Sequence, residues 1–509
     1  MTQAVTAAGW LLLHGSPTPP PARIELKAGP VTAEFVPDLT HLRHIRIGGK
    51  EILRGIYAAV RDRNWGTIPQ KVRITEKSIR PDQFHIAFTS DAERDDIRFE
   101  WKGAVTGSKD GTITYTFDGE AQTGFKGNRI GLLALHPPST VCGIEATAVH
   151  PDGTKSTGTF PQLISPDVPF ANITELRYDI APGVTATLTF EGDTFGMEDQ
   201  RNWTDDSFKT YSMMHGAKLP AEFKPGMKIR QSITIRITGT PPATPPEGPV
   251  ILDADPAAKP SVLPMLKPFD QNAPVPRSFT DLSFNRPAAP FPDVISFSAH
   301  PQIHQFDDET IMENAATLAT CVRTAKSFAP NARIAVGPLA LNSAGSTADP
   351  RQPTLLCAAW TLSALKAVAE SGAAEAAFFE SDGPRGIRNG SRTFPCAHIL
   401  LDAADSKGWR VLPAQSSRPL DSAMLLLEHN GTYRAFIANL TPDPISVRIV
   451  IPGEPKSATL RRLELSSVER AMTDPDAYRN APGETIPVYA GAFMLALDRY
   501  TSIRLEARP

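Results

Sequence analysis

Polar side chains follow two apolar segments of the chain, at the points where buried strands would end. DVISFSAH ends in His300, with Gln302 and His304 just behind it, and AAFFESDGPRG brings out Glu380 with Arg385 close by. In parallel α/β sheets, ligands bind beyond the carboxyl ends of the strands. A carboxylate that emerges from a buried strand is suited to general-base catalysis, which makes Glu380 the leading catalytic candidate. The alternative is a glutamate that pairs with Arg385 and only fixes the loop.

The spacing of His300 and His304 raises the question of a metal site. Two histidines four positions apart on a helix can bind one metal ion. Pro301 and the strand context remove that helical geometry. We therefore expect neither a metal nor another cofactor, and assign the two imidazoles to hydrogen bonding in a pocket or to a structural role.

The stretch DTFGMEDQRNWTDDSFKTY, residues 193–211, gathers carboxylates, basic groups, amides and aromatic rings. A solvated loop does not need so many rings, and a core strand does not tolerate so many charges. The mixture therefore predicts one wall of a polar pocket. The candidate binding residues from this stretch are Glu198, Asp199, Arg201, Asn202 and Trp203.

RDRNWGTIP, residues 61–69, has a similar composition, and contains Asn64 and Trp65. A Trp beside Arg and Asn is typical of sugar-binding sites, which offer apolar ring faces and bidentate polar contacts. An ion-pair network at a domain interface is the alternative for this stretch. Gln302 and Arg385 complete the predicted set of binding residues.

The elements that must position these groups change along the chain. Residues 1–240 alternate apolar and polar positions in short segments, which predicts a large antiparallel β-sandwich. A proline-rich linker and an irregular segment follow at 241–290. Strands alternate with helices in 291–415, but a complete (β/α)₈ barrel takes about 250 residues, so we expect a shortened barrel. Strands return in 416–509 and predict a small C-terminal β-sandwich, so the fold class is multidomain α+β.

Composition excludes several classes of function. The 509 residues carry a formal net charge of −3, which offers no basic field for a nucleic acid. No apolar run approaches the roughly 20 residues that a membrane span needs. Signatures of a serine-hydrolase elbow, a dinucleotide fold or a P-loop are absent from the sequence. We expect a small-molecule ligand, and homodimer formation through the exposed edges of a partial barrel.

The cysteines and the N-terminus indicate a cytoplasmic protein. Cys142, Cys321, Cys357 and Cys396 are widely spaced and form no CxxC pair, which is typical of reduced thiols. The apolar LLL near the N-terminus is short and has no basic segment before it, so we do not expect a signal peptide.

Several longer motifs resemble the D-apionate lactonase family. They are YAAVRDRNWGTIP, NRIGLLALHP, the 193–211 stretch, FSAHPQIHQFD, DPRQPTLLCAAWTLSALK, FFESDGPRG and AFIANLTPDP, which together extend over nearly the whole chain. The resemblance implies hydrolysis of a sugar-acid lactone, D-apionolactone to D-apionate, in the catabolism of the branched pentose apiose. Three departures stand out: Gly196 and Asp281 occupy positions where the family tends to carry Glu, and the middle region is shortened.

The resemblance and the strand-end positions together suggest roles for the catalytic candidates. Glu380 would activate a water, and His300 or His304 would donate to the developing oxyanion or to the leaving oxygen. Asp281 would be a second carboxylate, and Arg201 and its neighbours would hold the sugar acid. Two alternatives stay open: a glycoside hydrolase that uses Glu380 and Asp281 as its carboxylate pair, and a non-catalytic carbohydrate-binding relative.

Overall fold

Alternation of apolar and polar residues in the first half of the chain produces long antiparallel strands. Residues 97–107, IRFEWKGAVTG, bury every second side chain, as a strand with one face on a core requires. The computed structural model describes residues 5–245, 247–255, 258–270, 272–343 and 345–508. These fall into two units. The sandwich unit comprises Pro21–Arg201 and Ser207–Pro246, and the α/β unit comprises Met1–Pro20, Asn202–Asp206 and Glu247–Pro509.

Two antiparallel sheets build the sandwich unit. The strands are β1 Ile24–Ala28, β2 Val31–Val36, β3 His41–Ile47, β4 Lys50–Asp62, β5 Gln70–Arg80, β6 Gln83–Arg94, β7 Ile97–Gly107, β8 Ile113–Ala121, β9 Phe125–His136, β10 Glu145–Val149, β11 Lys155–Thr159, β12 Glu175–Ala181, β13 Val184–Glu191, β14 Phe195–Asp199, β15 Phe208–Ser212, β16 Ala221–Phe223 and β17 Lys228–Gly239. One sheet has the order β1-β2-β3-β4-β9-β15-β14, with β16 on β9. The other has the order β11-β10-β12-β13-β17-β8-β7-β6-β5.

The core of the sandwich unit lies between these two sheets. Phe35 of the first sheet and Phe88 of the second have ring centroids 5.4 Å apart, and both are buried. Trp101 packs edge-on against Phe88 at 5.2 Å. This confirms the sandwich-like character expected for this part of the chain.

A polar network also lies inside the sandwich unit. His136 is fully buried, and its two ring nitrogens hydrogen bond to the hydroxyls of Tyr178 and Thr210 at 3.0 and 2.8 Å. Burial lowers the pKa of His136 to about 3, so the imidazole is neutral in the folded protein.

Three sheets and a small hairpin form the strands of the α/β unit. Their bounds are β18 Val250–Ala254, β19 Ser261–Val262, β20 Met265–Phe269, β21 Val294–Ala299, β22 Arg333–Leu339, β23 Glu375–Glu380, β24 Arg388–Asn389, β25 Arg392–Thr393, β26 Arg410–Leu412, β27 Ala414–Ser416, β28 Ser422–His429, β29 Thr432–Asn439, β30 Ile445–Ile449, β31 Ser457–Leu463, β32 Glu484–Pro487, β33 Phe493–Leu497 and β34 Ser502–Ala507. A four-stranded parallel sheet has the order β20-β23-β22-β21.

Most helices lie in the connections between strands. They are α1 Ala7–His14, α2 Pro138–Val141, α3 Phe279–Phe284, α4 Asp308–Asn314, α5 Thr317–Phe328, α6 Leu355–Glu370, α7 Pro395–Ala404, α8 Val468–Thr473 and α9 Pro475–Asn480. The helices α4 and α5 follow each other closely but are separate, because turn-type bonds interrupt the helical hydrogen bonding at Ala315 and Ala316. In the described parts of the chain, no helix is long and apolar enough to cross a membrane.

The segment 241–290, expected to be a linker and irregular chain, contributes strands to two domains. β20 is an edge strand of the parallel sheet and pairs only with β23, so the missing N–H of Pro268 is tolerated there. β18 joins a sheet of order β27-β18-β30-β33, which packs on the β19-β26-β28-β29-β34-β31-β32 sheet through one apolar core. The expected C-terminal sandwich therefore includes strands from outside residues 416–509. Residues 246, 256, 257 and 271 of the segment lie outside the described residues.

Because His136 has a folded-state pKa of about 3 against an ordinary value of 6.5, it makes stability depend on pH. Below pH 6.5 the unfolded chain binds a proton at His136 that the folded protein does not. The free energy of unfolding therefore decreases as the pH is lowered, by up to about 1.4 kcal/mol per pH unit. We expect His136→Gln to show a smaller loss than the wild type between about pH 7.5 and about pH 5.5. Urea unfolding at the two pH values measures this, and equal losses in both proteins would contradict it.

Candidate functional site

The carboxyl ends of three neighbouring parallel strands bring the predicted chemistry together. β21 is followed directly by His300, and β23 ends at Glu380, with β22 between them. The pairing register shifts near the end of each of these strands. Such bulges re-aim side chains and are common beside active sites. His300 and Glu380 therefore leave the same edge of the sheet, as the sequence predicts.

One of the two carboxylate oxygens of Glu380 accepts no hydrogen bond from the described residues. Nε of Arg385 donates to its Oε1 at 2.9 Å, while no described residue donates a hydrogen bond to its Oε2. The side chain is 22% exposed, so it can reach a ligand. Nη1 of Arg385 donates to the carbonyls of Ser343 and Ser346 at 3.1 and 2.5 Å. The pair therefore fixes the loop after β22 and still leaves an acceptor.

A strained backbone residue sets the direction of Glu380. Phe379 has φ of +46°, a left-handed conformation that is unusual for a bulky side chain. Its ring is buried and packs against Trp360 at a centroid distance of 6.0 Å. Strain of this kind costs on the order of 1–3 kcal/mol and tends to occur at functional sites.

His300 presents a buried polar atom without a partner. Its Nδ1 is inaccessible to solvent and makes no hydrogen bond with the described residues. Burial lowers the pKa of His300, and the nearby Asp205 carboxylate opposes that shift only in part. The imidazole is therefore neutral near pH 7, and Nδ1 can donate or accept according to its tautomer.

A carboxylate orients the second histidine. Nδ1 of His304 lies 2.6 Å from Oδ2 of Asp205, and Nδ2 of Asn314 donates to Oδ1 of the same carboxylate at 3.2 Å. The edge of Trp203 packs against His304 at 6.1 Å. A carboxylate on Nδ1 fixes the tautomer and the orientation of an imidazole, as in catalytic triads.

Residues 202–206 are bound by several elements of the α/β unit. Oδ1 of Asn202 accepts a hydrogen bond from Ser283 of α3 at 2.6 Å, and Asp206 accepts one from Thr317 of α5 at 2.9 Å. Thr204, with φ of +66°, donates to the carbonyl of His300 at 2.7 Å. This part of the 193–211 stretch therefore contributes directly to the histidine side of the site.

Gln302 is a connector between loops. Its Nε2 donates to the carbonyl of Leu341 at 2.8 Å and to Oδ2 of Asp349 at 2.7 Å. Its Oε1 accepts from Arg351 at 2.7 Å. Because the side chain is buried and bonded at both ends, it ties the loop after β21 to the loop after β22.

Four polar residues of the site cannot be predicted from strand-end positions in the sequence. Asp205, Asn314, Asp349 and Arg351 lie in connecting segments or helices rather than behind a strand. The motif DPRQPT, which contains Asp349 and Arg351, follows β22 and is the available sequence signal for two of them.

Three predicted binding residues of the sandwich unit bond within that unit. Arg201 is 1% exposed and makes a two-point ion pair with Asp199, with both N–O distances at 2.8 Å. Its Nη1 and Nη2 also bind the carbonyls of Gln162 and Pro161 at 3.1 and 2.8 Å. Burial raises the pKa of Asp199, and the bonds from Arg201 oppose the rise. We therefore assign this pair a structural role, and Glu198 is likewise paired, with Lys209 on the neighbouring strand.

Other predicted site residues are exposed. Asp281 lies in the first turn of α3 and accepts a hydrogen bond from Asn285 at 3.0 Å, and no hydrogen bond in the described chain joins it to Glu380. Asn64 is in an exposed turn of the sandwich unit, where its N–H donates to Asp62. Trp65 of the same turn is 48% exposed.

Comparisons with known proteins match both halves of the chain. Residues 11–240 match the family model described as D-apionate lactonase, N-terminal domain, and residues 274–408 match D-apionate lactonase, TIM barrel domain. A curated D-apionate lactonase from Brucella anthropi is 33% identical over 230 residues. That alignment spans 45% of this chain and 37% of the relative's length.

Solved structures give weaker likenesses. A bifunctional glucanase-xylanase from a metagenome library has 12% identity and a TM-score of 0.33, over 42% of this chain and 43% of that one. A Paenibacillus polymyxa xyloglucanase of glycoside hydrolase family 44 has 10% identity and a TM-score of 0.33, over 43% and 47% of the two chains. Scores at this level have no bearing on the function of this chain.

The structural role of Arg201 can be tested through stability. Arg201→Met leaves the buried Asp199 carboxylate without its partner, which costs about 3–5 kcal/mol of unfolding free energy. The control is the double variant Asp199→Leu, Arg201→Met, which removes both charges and is expected to recover part of that loss. Chemical unfolding followed by fluorescence measures all three proteins. A single variant as stable as the wild type would show that the pair has no structural role.

Proposed function

Since the chain belongs to the D-apionate lactonase family, we propose that it hydrolyses a sugar-acid lactone, D-apionolactone, to the open-chain acid D-apionate. The proposal places the enzyme among the carboxylic-ester hydrolases, acting in the cytoplasm without a cofactor. The single observation that carries it is the presence, at one sheet edge, of two polar groups that have no further hydrogen-bond partner among the described residues. These are Oε2 of Glu380 and the imidazole of the half-buried His300.

The separation of these groups suits a small ring. β21 and β23 are two strand spacings apart, which corresponds to roughly 10 Å between their backbones. Side chains from both ends reach into that gap, so one lactone can contact a base on one side and a donor on the other.

Glu380 is the proposed general base. Its Oε2 takes a proton from a water as the water oxygen attacks the lactone carbonyl carbon. The carbonyl oxygen then carries negative charge, and the His300 imidazole donates to it through Nε2–H. When the ring C–O bond breaks, the proton held by Glu380 passes to the leaving alkoxide. The products are a carboxylic acid and a hydroxyl, and Glu380 returns to its starting state.

His304 is proposed to hold the substrate beside this pair. Asp205 fixes its ring, and the edge of Trp203 packs against it. An oriented imidazole can hydrogen bond to a ring hydroxyl, and the indole offers an apolar surface for a sugar ring. Gln302 and Arg385 act through the loops they hold.

The alternative of a glycoside hydrolase has less support. That chemistry needs two carboxyl groups facing one bond. Asp281 is exposed on α3 and hydrogen bonds to Asn285. No observation therefore favours Asp281 as the partner of Glu380.

Replacing the base tests the mechanism directly. We expect Glu380→Gln to lose about 10²–10⁴-fold in kcat, because an amide cannot accept the proton. Proton release on addition of D-apionolactone measures the rate. The matched control is Glu375→Gln, which changes the other end of β23, where Glu375 pairs with Lys267 at 2.8 Å. Full activity in Glu380→Gln would exclude it as the base, and an equal loss in both variants would indicate damage to the strand instead.

Two adjacent carboxylates allow a paired test of the His304 site. Asp205 contacts His304, whereas Asp206 contacts Thr317 of α5. We expect Asp205→Asn to lower kcat/KM by about 10²-fold, because the amide no longer fixes the tautomer of the imidazole. Asp206→Asn is expected to change stability more than rate. Equal kcat/KM values for the two variants would contradict the proposed role of the Asp205–His304 pair.

A further inference from the structure

Arg129 of the sandwich unit lies against two aromatic rings. Its guanidinium carbon lies 3.5 Å from the ring centroid of Tyr211 and 5.4 Å from that of Trp65. Contacts of this kind occupy the faces of the planar cation and leave its N–H donors pointing outward in the plane. The side chain is half-buried, so those donors can be reached by a small molecule.

Arg129 differs from most other ring-stacked arginines of this protein in its lack of a carboxylate partner among the described residues. Five further arginines stack on aromatic rings, among them Arg286 on Phe328, and the other four also bind a carboxylate. These pairs are Arg201 with Asp199, Arg434 with Glu506, Arg461 with Asp402 and Arg499 with Asp498. No carboxylate of the described chain lies within 4.0 Å of the Arg129 nitrogens. Within the described part of the chain, Arg129 therefore lacks the internal carboxylate that these four arginines bind.

The indole of Trp65 adds a solvent-exposed ring beside Arg129. The indole is 48% exposed and is held out by a turn in which Trp65 has φ of +68°. The turn is fixed by Arg61, whose Nη1 donates to the carbonyl of Trp65 at 3.0 Å. A large exposed ring on a fixed turn lies beside a guanidinium that hydrogen bonds to Tyr211 and has no carboxylate partner among the described residues. Together they provide an apolar surface and a charged group at one place.

We propose that Arg129, Trp65 and Tyr211 form a binding site for a hydroxylated carboxylate, that is, a sugar acid. The guanidinium edge binds the carboxylate through two parallel hydrogen bonds, and the indole face covers the C–H side of the polyol chain. A neutral lactone lacks the carboxylate and is not the ligand of this site. The site therefore goes beyond hydrolysis and depends on the proposed function only for the choice of D-apionate as the probe.

Binding of D-apionate, compared with its neutral amide, tests the site. We expect a saturable change in tryptophan emission with the acid that is lost in Trp65→Phe. Calorimetric titration should show affinity for the acid reduced about tenfold or more in Arg129→Gln. Arg129→Lys should also bind more weakly than the wild type, because an ammonium cannot form the two-point contact. The matched control is Arg73→Gln, which removes an exposed charge from the same unit and is expected to bind as the wild type does.

The outcomes separate this site from the proposed hydrolytic one. If the wild type does not bind D-apionate, or if Arg129→Gln binds it as tightly as the wild type, the proposal is wrong. Equal affinity of the wild type for acid and amide also overturns it, and that comparison stands even where Arg129→Gln fails to fold. A wild type that binds the acid at Trp65 but does not hydrolyse the lactone overturns the proposed function and leaves this site intact.

Discussion

The loops at the carboxyl edge of the parallel sheet depend on one guanidinium, that of Arg351. It makes a two-point contact with Asp349 at 2.8 Å and donates to Oε1 of Gln302 at 2.7 Å. It also binds Asp308 at 3.1 Å and the carbonyl of Phe306 at 2.8 Å. Burial alone would raise the pKa of Asp349, but the bonds and the charge of Arg351 bring it below its ordinary value. Since these partners belong to the loops after β21 and β22 and to α4, the residues behind both strands are held as one body.

That rigidity explains how the site sustains strained backbone. Phe379 and Thr204 each have positive φ and each stand directly before a carboxylate of the site, Glu380 or Asp205. Such conformations persist only where the surroundings over-determine them. Phe379 is held by the packing of its buried ring, and Thr204 by its bond to the carbonyl of His300. The direction of each carboxylate is thus set by packing and hydrogen bonds around its neighbour.

The sequence predicts those parts of the site that local pattern controls. His300 and Glu380 follow apolar strands, so their place at the sheet edge can be read from the chain. The contact of His304 with Asp205 cannot, because the two are 99 positions apart and only tertiary packing brings them together. Tertiary packing also decides the partners within the 193–211 stretch, which the sequence alone presents as one pocket wall. The buried Asp199–Arg201 ion pair bonds within the sandwich unit, whereas residues 202–206 bond within the α/β unit. β20 escapes prediction because a short edge strand with a proline has no periodic signal.

A short parallel sheet is sufficient for the proposed hydrolytic site. Ligand binding at a strand edge requires neighbouring strand ends and the loops between them, and a closed ring of eight strands is not part of that requirement. Here β21 supplies His300, β23 supplies Glu380, and the loop after β22 is bonded to both sides through Gln302 and Arg385. The proposed chemistry therefore depends on three adjacent strands, and the length of the barrel concerns how the sheet's edges are covered.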